Sequence, residues 1–349
     1  MSALLERPAY GPRDEALLLA ELNHLTEHHR ANCDPYARIT NAARLPARSV
    51  DEVPFLHVGL FKRLNLRTNG SNLTHERVLT SSATSSGTAS RIALDDHSSL
   101  LQSASTQAIL ASFLGEERRP LLVVDAASSL RQRGGVSARV AAALSLRPLA
   151  SEIAFVLRDP DDPASLDWTE VIRHANAGSK LLIYGFTYML WRAWAEAEMP
   201  AEARQALAST EVQFVHSGGW KKLEALSVPR ELFDATLLAY VAPGSGVLDY
   251  YGLVEQVGVI YPLCAHGYRH VPIWADVRVR DSVSLAPVDG EVGQLQLLNV
   301  LAWGAPYHSV LTEDLGRTVS GECPCGRSGA RFELHGRVPY AELRGCANV

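Results

Sequence analysis

Short apolar runs alternate with amphipathic stretches between residues 121 and 215, and this alternation constrains the fold more than any other feature. Leu121–Asp125, Leu181–Gly185 and Val212–Val215 have the length and apolar composition of buried strands. Ser137–Leu146 and Tyr188–Ala197 have helical patterns. Strand, helix and strand at this spacing predict a crossover α/β sheet, whose parallel strands are joined by helices.

The pattern changes after about residue 256, where short β-like runs replace the helices. These runs are Gln256–Pro262, Val271–Val279 and Gln294–Leu301, and they predict a smaller, more antiparallel layer. Near the start of the chain, residues 13–30 carry leucines at helical spacing, which predicts an amphipathic helix. The same segment carries a histidine cluster that we expect on a solvated face: His24, His28 and His29.

The composition is that of a globular protein with an ample core, because 47% of the 349 residues are hydrophobic and 20% are charged. Lys and Arg number 33 and Asp and Glu 38, so the sequence lacks the basic excess of a dedicated nucleic-acid surface. No apolar run approaches the roughly 18 residues that a membrane span requires. Glu6 and Arg7 interrupt the region where a secretory signal needs unbroken apolar residues. Together with an odd set of five cysteines, these features predict a cytoplasmic protein.

A segment rich in small hydroxyl residues, Thr80–Ser90, is the only low-complexity stretch of the sequence. Its backbone N–H groups and hydroxyls, arranged around Gly87, can converge on an anion such as a triphosphate. The segment lacks the Gly-Lys-Ser/Thr of a Walker loop, which disfavours a P-loop NTPase. A flexible serine-rich linker is the alternative interpretation of the same composition.

Three further segments carry groups suited to nucleotide binding. Asp249–Glu255 brings together aromatic rings, a glycine and a carboxylate, which can stack a base, allow its close approach and face a metal. Ser217–Trp220 follows a predicted strand with two glycines, as a loop closing over a flat ligand would. Leu311–Gly316 offers a carboxylate that can accept hydrogen bonds from both ribose hydroxyls. Each segment alone is a weak signal, so only their combination indicates nucleotide binding.

In this order the segments resemble the adenylate-forming superfamily. Ser85–Thr88 resembles its phosphate loop, Tyr251–Glu255 its Tyr-Gly-x-x-Glu motif and Thr312–Asp314 its ribose-binding acidic motif. From about residue 53 to residue 346, the chain is more specifically similar to the LuxE-type acyl-protein synthetases. The motifs that carry this similarity are Val53–Leu56, Leu60–Lys62, Ser137–Arg139, Gly185–Thr187, Gly218–Glu224, Tyr250–Gln256, His270–Val277 and Arg344–Cys346. The chain departs from the pattern at Ala89 and Ser90, which replace the usual Thr-Gly pair of the phosphate loop.

The resemblance implies a two-step reaction that uses ATP and Mg²⁺. A carboxylic acid, which is a fatty acid in the luminescence systems, attacks the α-phosphate of ATP and gives an acyl-adenylate and pyrophosphate. A cysteine thiolate of the enzyme then takes the acyl group as a thioester for delivery to a reductase, and AMP leaves. The resemblance implies catalytic roles for Lys221 and Glu255, with Glu255 facing Mg²⁺. The residues expected to contact the nucleotide are Ser85, Ser86, Gly87, Thr88, Gly218, Gly219, Tyr251, Gly252, Asp314 and Arg337.

Cys346, three residues before the end of the sequence, is the acyl acceptor that the resemblance implies. Arg344 is close enough to favour its thiolate, and the nine steps from Arg337 span at most about 30 Å when extended. From the residues alone, a passive thiol near a frayed end is the alternative. Two further alternatives are a ligase that passes the acyl group to coenzyme A or a carrier protein, and an inactive acid- or nucleotide-binding partner of another enzyme.

The remaining cysteines suggest a metal site. Cys323 and Cys325 form a tight pair, and Cys264 precedes His270 by six residues. Three cysteines and one histidine make a closed tetrahedral zinc site if the two segments meet in space. Related ligases with a Cys-x-Cys-Gly-Arg segment support this interpretation by resemblance. Ordinary buried thiols or a redox pair are the alternatives, and His266 is a substitute ligand.

Together these expectations define an α/β fold that resembles the N-terminal core of an adenylate-forming enzyme. It would contain crossover α/β sheets, a smaller β-rich subdomain and a truncated C-terminal tail. We expect an α/β adenylation core over residues 1–255 and a β-rich subdomain with the zinc site over residues 256–335. Residues 336–349 would form a short mobile arm carrying Cys346, in place of the mobile C-terminal domain of full-length superfamily members.

Overall fold

The computed structural model describes residues 2–70, 73–80, 89–131, 136–220 and 225–338. These residues form two compact units. The first combines residues 2–109 with residues 252–338 and is called the discontinuous unit below. The second, residues 110–251, is called the continuous unit. Within the described ranges, the helices are too short or too polar to cross a membrane.

Two of the helices are long, with 18 and 19 residues, and the others are short. Side-chain caps define where some of them begin: Asp14 accepts from the backbone N–H of Leu17, and Asp167 accepts from that of Thr169. In chain order, the α-helices of the described residues are α1 (Glu15–Asn32), α2 (Asp34–Ile39), α3 (Leu60–Arg63), α4 (Asp96–Leu114), α5 (Ala138–Ser145), α6 (Trp168–Ala177), α7 (Thr187–Leu190), α8 (Ala201–Leu207) and α9 (Arg230–Leu238).

The strands pair mainly in parallel within the continuous unit and mainly antiparallel within the discontinuous unit. In chain order they are β1 (Leu56–His57), β2 (His75–Thr80), β3 (Arg91–Asp95), β4 (Arg119–Ala126), β5 (Val136–Ser137), β6 (Ala150–Leu157), β7 (Lys180–Phe186), β8 (Glu211–Ser217), β9 (Gly246–Tyr251), β10 (Tyr261–Pro262), β11 (Arg269–His270), β12 (Ala275–Arg280), β13 (Pro287–Val288), β14 (Gly293–Asn299), β15 (Ser309–Thr318) and β16 (Arg331–Arg337).

Five strands of the continuous unit pair in parallel, in the order β9-β8-β7-β4-β6. The central strands β4 and β7 are buried along almost their whole length, as expected of strands covered on both faces. Helices α5, α6, α8 and α9 lie in the connections between successive strands. The crossover α/β sheet predicted from the sequence is therefore confirmed. From β4 the chain passes to β6 on one side, and then to β7 on the other.

The helix predicted over Tyr188–Ala197 is not regular. Helix α7 is only four residues long, and the chain continues as a π-helical turn over Trp191–Ala195. The first tryptophan of this turn stacks on Phe233, and the second packs edge-to-face against Phe214. The packing of two large indole rings against different partners accounts for the departure from the regular helix that the sequence pattern predicts.

The larger sheet of the discontinuous unit has the strand order β11-β16-β15-β14-β12-β13, and β1 adds to β15 in parallel. The other neighbouring strands of this sheet are antiparallel. An antiparallel layer after residue 256 was predicted and is present. A second antiparallel pair, β2 with β3, also belongs to this unit.

The strand predicted over Gln256–Pro262 is wrong for most of its length. Val254–Gln256 is a 3₁₀ turn, and only Tyr261–Pro262 is a strand. Gly258 has a φ of +87°, a left-handed conformation that strands do not contain. The buried polar side chains of this turn bond to distant parts of the unit, and these bonds outweigh the local β-like pattern.

Helix α1 buries the predicted leucine face, since Leu18, Leu22 and Leu25 are at most 1% exposed. His29 lies on the same side of the helix and is fully buried, whereas His24 is exposed. The expectation of a solvated histidine face was therefore wrong for His29. The helical period alone could not reveal which polar residue of the helix has buried partners.

The buried His29 is fully hydrogen-bonded. Its Nε2–H donates to the carbonyl oxygen of Ala302 (2.8 Å), so its Nδ1 accepts from the hydroxyl of Thr68 (2.8 Å). The ring stacks on the buried ring of His308, with centroids 5.0 Å apart. Burial, followed by the neighbouring His308, holds the pKa of His29 well below its usual value. Burial and the nearby His28 lower the pKa of His308 to about 3.

Candidate active site

Strands β8 and β9 end side by side at one edge of the parallel sheet. Ser217 pairs with Tyr250, so Gly218 and Tyr251 are the next positions on the two adjacent strands. Gly218 and Gly219 have φ values of +89° and +59°, which glycine adopts without strain. A Cβ atom on Gly219 would meet no described atom within 4 Å, so the backbone is open to a ligand on that side. Ligands of open α/β sheets bind at the carboxyl edge, where these residues lie.

A buried hydrogen-bonded cluster lies next to this edge. The hydroxyl of Thr187 donates to the carbonyl oxygen of Ser217 (3.1 Å), so its oxygen accepts from Nδ1–H of His216 (2.9 Å). The same Nδ1 lies 3.9 Å from Oδ1 of Asp249, and the ring of Phe233 packs on the imidazole. These contacts hold the end of β8 from which the two glycines continue. From the sequence, Thr187 was given no role, although the Gly185–Thr187 motif contains it, and His216 was not singled out, although the place of both residues at the ends of apolar runs was a usable signal.

A second buried polar group lies at the end of β4. Oδ1 of Asp125 accepts from the hydroxyl of Ser129 (2.8 Å), and Oδ2 lies 3.2 Å from Nε of Arg139. The Asp125 and Arg139 side chains are only 7% and 13% exposed. The chain passes from β4 to β6 on one side of it and then to β7 on the other, and such a switch point opens a crevice for ligands in α/β sheets. Arg139 belongs to a motif of the family resemblance, but the residues alone assigned it no role.

Glu255, expected to face Mg²⁺, lies in the 3₁₀ turn of the discontinuous unit and is 4% exposed. A carboxylate is the hard oxygen donor that Mg²⁺ prefers. Proteins commonly bind this ion through one or two carboxylates together with substrate phosphates. The residue present therefore fits the ion. Gly252 lies just before the turn, so the Tyr-Gly-x-x-Glu motif runs from the end of β9 into the turn.

Asp314 and Arg337, both predicted to contact the nucleotide, are paired residues of the antiparallel strands β15 and β16. Nε of Arg337 lies 3.2 Å from Oδ1 of Asp314, and its Nη2 donates to Oε2 of Glu313 (3.0 Å). The backbone N–H of Asp314 donates to the buried hydroxyl of Thr312, which holds the acidic segment in place. A carboxylate, which can accept hydrogen bonds from hydroxyls, and a guanidinium, which can bind phosphate oxygens, thus lie side by side.

The four predicted zinc ligands come together in the discontinuous unit. The ligand atoms of Cys264, His270, Cys323 and Cys325 all lie within 4.8 Å of one another. Sγ of Cys264 lies 3.9 Å from Sγ of Cys323, and Sγ of Cys325 lies 3.2 Å from Nε2 of His270. Two sulfurs bound to one tetrahedral zinc at about 2.3 Å are about 3.8 Å apart, whereas a disulfide requires about 2.05 Å. The substitute ligand His266 is exposed and is not part of this cluster.

The environment of His270 suits a metal ligand. Burial, and then the nearby Arg327 and Arg331, lower the pKa of His270 to about 4. The imidazole is therefore neutral near pH 7, which is the form that binds a metal. The cluster joins the loop after β10, strand β11 and the Cys-Pro-Cys loop that precedes β16.

The predicted nucleotide- and Mg²⁺-binding residues that the structure describes fall into two groups. Gly218, Gly219 and Tyr251 lie at the carboxyl edge of the continuous unit, while Gly252, Glu255, Asp314 and Arg337 belong to the discontinuous unit. The remaining predicted residues lie outside the described ranges: Ser85, Ser86, Gly87, Thr88, Lys221 and Cys346.

The fold is that of the adenylate-forming ligases. A 2-hydroxyisobutyryl-CoA ligase, solved in an open conformation with 2-HIB-AMP and CoA, has a TM-score of 0.66 and 16% identity. That match covers 93% of this chain and 74% of the ligase. The same ligase in the postadenylation state with R3-HIB-AMP has a TM-score of 0.64 and 16% identity, covering 93% and 68% of the two chains.

Sequence comparison gives the family. A model of the acyl-protein synthetase LuxE family matches residues 12–349, so the chain belongs to that family. A long-chain-fatty-acid–luciferin-component ligase of Aliivibrio fischeri is 24% identical over 196 residues. This match spans 53% of the chain and half the length of the curated relative.

Proposed function

We propose that the protein is an ATP-dependent acyl-protein synthetase that activates a carboxylic acid, most simply a fatty acid, and holds the acyl group on Cys346. In the first step a carboxylate oxygen attacks the α-phosphorus of ATP, and pyrophosphate leaves. In the second step the Cys346 thiolate attacks the carbonyl carbon of the acyl-adenylate, a thioester forms and AMP leaves. Family membership supports this reaction, and the juxtaposition of Asp314 with Arg337 is the geometric observation that carries it.

In this proposal the base, the ribose and the phosphates of the nucleotide are bound by different groups. The Asp314 carboxylate accepts from the ribose hydroxyls, and Arg337 beside it contributes positive charge toward the phosphates. Tyr251 stacks on the adenine, and the backbone at Gly218 and Gly219 allows the base to approach closely. Glu255 holds Mg²⁺, which when bound neutralises charge on the phosphoryl oxygens.

The two steps place different demands on protons. The substrate carboxylate is ionised near neutral pH, so its attack on phosphorus requires no general base. A thiol must lose its proton before it attacks, and the neighbouring Arg344 favours that loss by electrostatic attraction. Cys346 is therefore required for acyl retention, and adenylation proceeds without it.

The test uses the full chain with ATP, Mg²⁺ and a mixture of carboxylic acids, followed by intact-mass measurement. The wild type should gain one acyl group that hydroxylamine removes, and the mass identifies the acid. Cys346→Ser should retain acid-dependent pyrophosphate exchange and lose the hydroxylamine-labile adduct, because a serine hydroxyl has no appreciable anionic fraction. Cys33→Ser, at a buried thiol of the α1–α2 junction, is the matched control and should retain both properties.

Other outcomes would identify a different protein function. Pyrophosphate exchange without any protein adduct, together with consumption of coenzyme A, would establish a ligase that uses a soluble thiol. The fold shared with a ligase solved with CoA makes this the second candidate. A thioester that persists in Cys346→Ser would move the acceptor to another cysteine. No exchange with any acid would identify an inactive binding partner instead.

We also propose that Cys264, His270, Cys323 and Cys325 hold a structural Zn²⁺. The burial of Cys264, Cys323 and His270, the tetrahedral spacing and the neutral imidazole support this assignment. Four protein ligands leave no open position for chemistry, so the ion would stabilise the fold around β11 and β16.

A further inference from the structure

Gln256, the residue after Glu255, has a buried side chain whose amide makes several hydrogen bonds. Gln256 is 1% exposed. Its Nε2 donates to the carbonyl oxygens of Tyr307 (2.7 Å) and Leu297 (3.3 Å), and its Oε1 accepts from Nδ2 of Asn299 (2.9 Å). Both amide hydrogens and the amide oxygen are therefore engaged, which leaves the side chain a single orientation.

Asn299 is itself held in one orientation at the end of β14. Its Oδ1 accepts from the backbone N–H of Leu301 (2.8 Å), so its Nδ2 must be the group that faces Gln256. The same Nδ2 lies 3.2 Å from the carbonyl oxygen of Tyr307. The Tyr307 hydroxyl accepts from Nε2 of Gln102 on helix α4, which ties the network to a second element.

The other end of the turn is fixed by helix α4. The carbonyl oxygen of Gly258 accepts from the hydroxyls of Ser105 (2.7 Å) and Thr106 (3.3 Å). The approach is so close that a Cβ atom on Gly258 would lie 2.6 Å from atoms of Gln102. Trp274 Nε1–H donates to the Ser105 hydroxyl (2.7 Å), so this contact is anchored as well. The segment that follows Glu255 is thus held at two positions, Gln256 and Gly258.

We infer that Gln256 and Asn299 are positioning residues that fix the direction of the Glu255 carboxylate toward Mg²⁺, an inference that rests on the proposed function. An apolar side chain would fill the same space, but it would not fix the rotation of the 3₁₀ turn. Mg²⁺ demands near-ideal octahedral geometry at short distances, so a small rotation of its carboxylate ligand weakens binding. Residues that orient a metal ligand typically change metal affinity or activity 10- to 100-fold when substituted.

The experiment compares two buried glutamines of the discontinuous unit in the full-length protein. Gln256→Met removes the network, whereas Gln296→Met removes an equally buried amide on β14 that bonds to Arg280 and Ser309 instead. Gln256→Met should raise the Mg²⁺ concentration for half-maximal acid-dependent pyrophosphate exchange about 10-fold or more. Gln296→Met should change that concentration less than about twofold, even if both variants lose similar thermal stability.

Two readouts do not depend on turnover. Mn²⁺ binding in the presence of ATP and absence of acid, followed by electron paramagnetic resonance, should weaken about 10-fold in Gln256→Met and not in Gln296→Met. Backbone hydrogen exchange over residues 254–258 should accelerate only in Gln256→Met. In a Glu255→Gln background, Gln256→Met should cause no further loss of Mn²⁺ affinity, because the ligand that it positions is already gone.

The variants distinguish a positioning role of Gln256 from a purely structural one. Equal effects of Gln256→Met and Gln296→Met on Mn²⁺ binding and Mg²⁺ dependence would overturn it and leave Gln256 a purely structural residue. If Glu255→Gln changes neither property, the assignment of Glu255 in the proposed function is the part that fails. If Gln256→Met does not fold, Asn299→Ser, which keeps an acceptor for Leu301, should show the same weakening of Mn²⁺ binding. Wild-type Mn²⁺ affinity in that variant would overturn the inference.

Discussion

The two units bury their polar groups in different places. In the continuous unit the central strands are apolar, and buried polar residues such as Asp125, His216 and Ser217 lie at strand ends. In the discontinuous unit, by contrast, strand β14 buries three amide side chains along its length: Gln294, Gln296 and Asn299. The positions of the buried polar groups in the continuous unit therefore follow from the topology of its sheet. In the discontinuous unit they depend on specific pairs of side chains from distant segments. If this difference is real, substitutions at those pairs should affect the discontinuous unit most strongly.

The largest effect is expected at the cysteine and histidine cluster. Cys323→Ser, or a chelator, should remove one zinc per chain and lower the free energy of unfolding by more than about 5 kcal/mol, since structural zinc contributes about 10–16 kcal/mol in zinc-finger peptides. Metal analysis and denaturant unfolding measure both effects. Cys33→Ser, a buried thiol outside the cluster, should keep the zinc and cost only about 1–2 kcal/mol. A folded wild type with well under one zinc per chain would refute the site.

The next effect is a loss of stability in mild acid from the buried pair of His29 and His308. Both have folded-state pKa values below the unfolded value of about 6.5, so below that pH the unfolded chain binds protons that the folded chain does not. The free energy of unfolding should therefore fall as pH decreases, by about 2 kcal/mol for each histidine between pH 8 and pH 5.

Urea unfolding of the wild type, His308→Gln and His24→Gln at each pH measures that loss against the pH dependence that zinc release adds to all three proteins. From pH 8 to pH 5, His308→Gln should lose about 2 kcal/mol less than the wild type, and His24→Gln, at an exposed position of α1, should lose as much as the wild type. An equal loss in His308→Gln and the wild type would contradict the burial of the pair.

A smaller effect should distinguish two glycines that share a left-handed conformation. Gly258 (φ +87°) lies against Gln102, whereas at Gly290 (φ +69°) a Cβ atom would meet no described atom within 4 Å. Both alanine variants carry the left-handed cost of about 1–2 kcal/mol. Only Gly258→Ala adds steric overlap with α4, so it should be the less stable by about 2 kcal/mol in denaturant unfolding. Equal losses in the two variants would show that the turn can move away from the helix.

Substitution of Asp314 is expected to have the smallest effect on the stability of the fold. Its effect on ATP binding should nevertheless be selective. Asp314→Ala should weaken ATP binding by about 1.5–3 kcal/mol, because two charge-assisted hydrogen bonds to the ribose are lost. Calorimetric titration with ATP measures this change. Asp289→Ala removes an exposed carboxylate of the same unit, on the β13–β14 connection, and should not alter the affinity. Unchanged ATP affinity in Asp314→Ala would argue against the ribose assignment.

The sequence was sufficient to predict the crossover sheet of the continuous unit, because its buried strands follow from local patterns. The run after Gln256 was mispredicted as a strand, since the partners of that side chain, Asn299 and Tyr307, are far along the chain. His29 was misplaced for the same reason, because its partners Thr68 and Ala302 lie in other segments. A local sequence pattern gives the hydrophobic period of a segment, but it does not identify the distant residues that its buried polar side chains bond to.

The candidate site was predicted in a similarly uneven way. Residue chemistry and family resemblance together indicated Glu255, Asp314 and Arg337, but only the pairing of β15 with β16 brings the last two into contact. Spacing along the chain could not show whether the four proposed zinc ligands meet. The Gly185–Thr187 motif contains Thr187 but gave it no role, and His216 was missed because an imidazole at the end of a strand belongs to no short motif.

Strand β1 has consequences for the order in which the chain can fold. Leu56 and His57 pair with Val310 and Leu311, so an early segment of the discontinuous unit bonds to a strand that is synthesised after the whole continuous unit. The continuous unit, by contrast, has all of its parallel strands available once residue 251 has left the ribosome. Closing contacts between segments so distant in sequence is slow, and unpaired strand edges and apolar faces remain exposed meanwhile. A nascent chain halted at residue 251 would therefore carry a completed parallel sheet joined to a first segment that still lacks its partners.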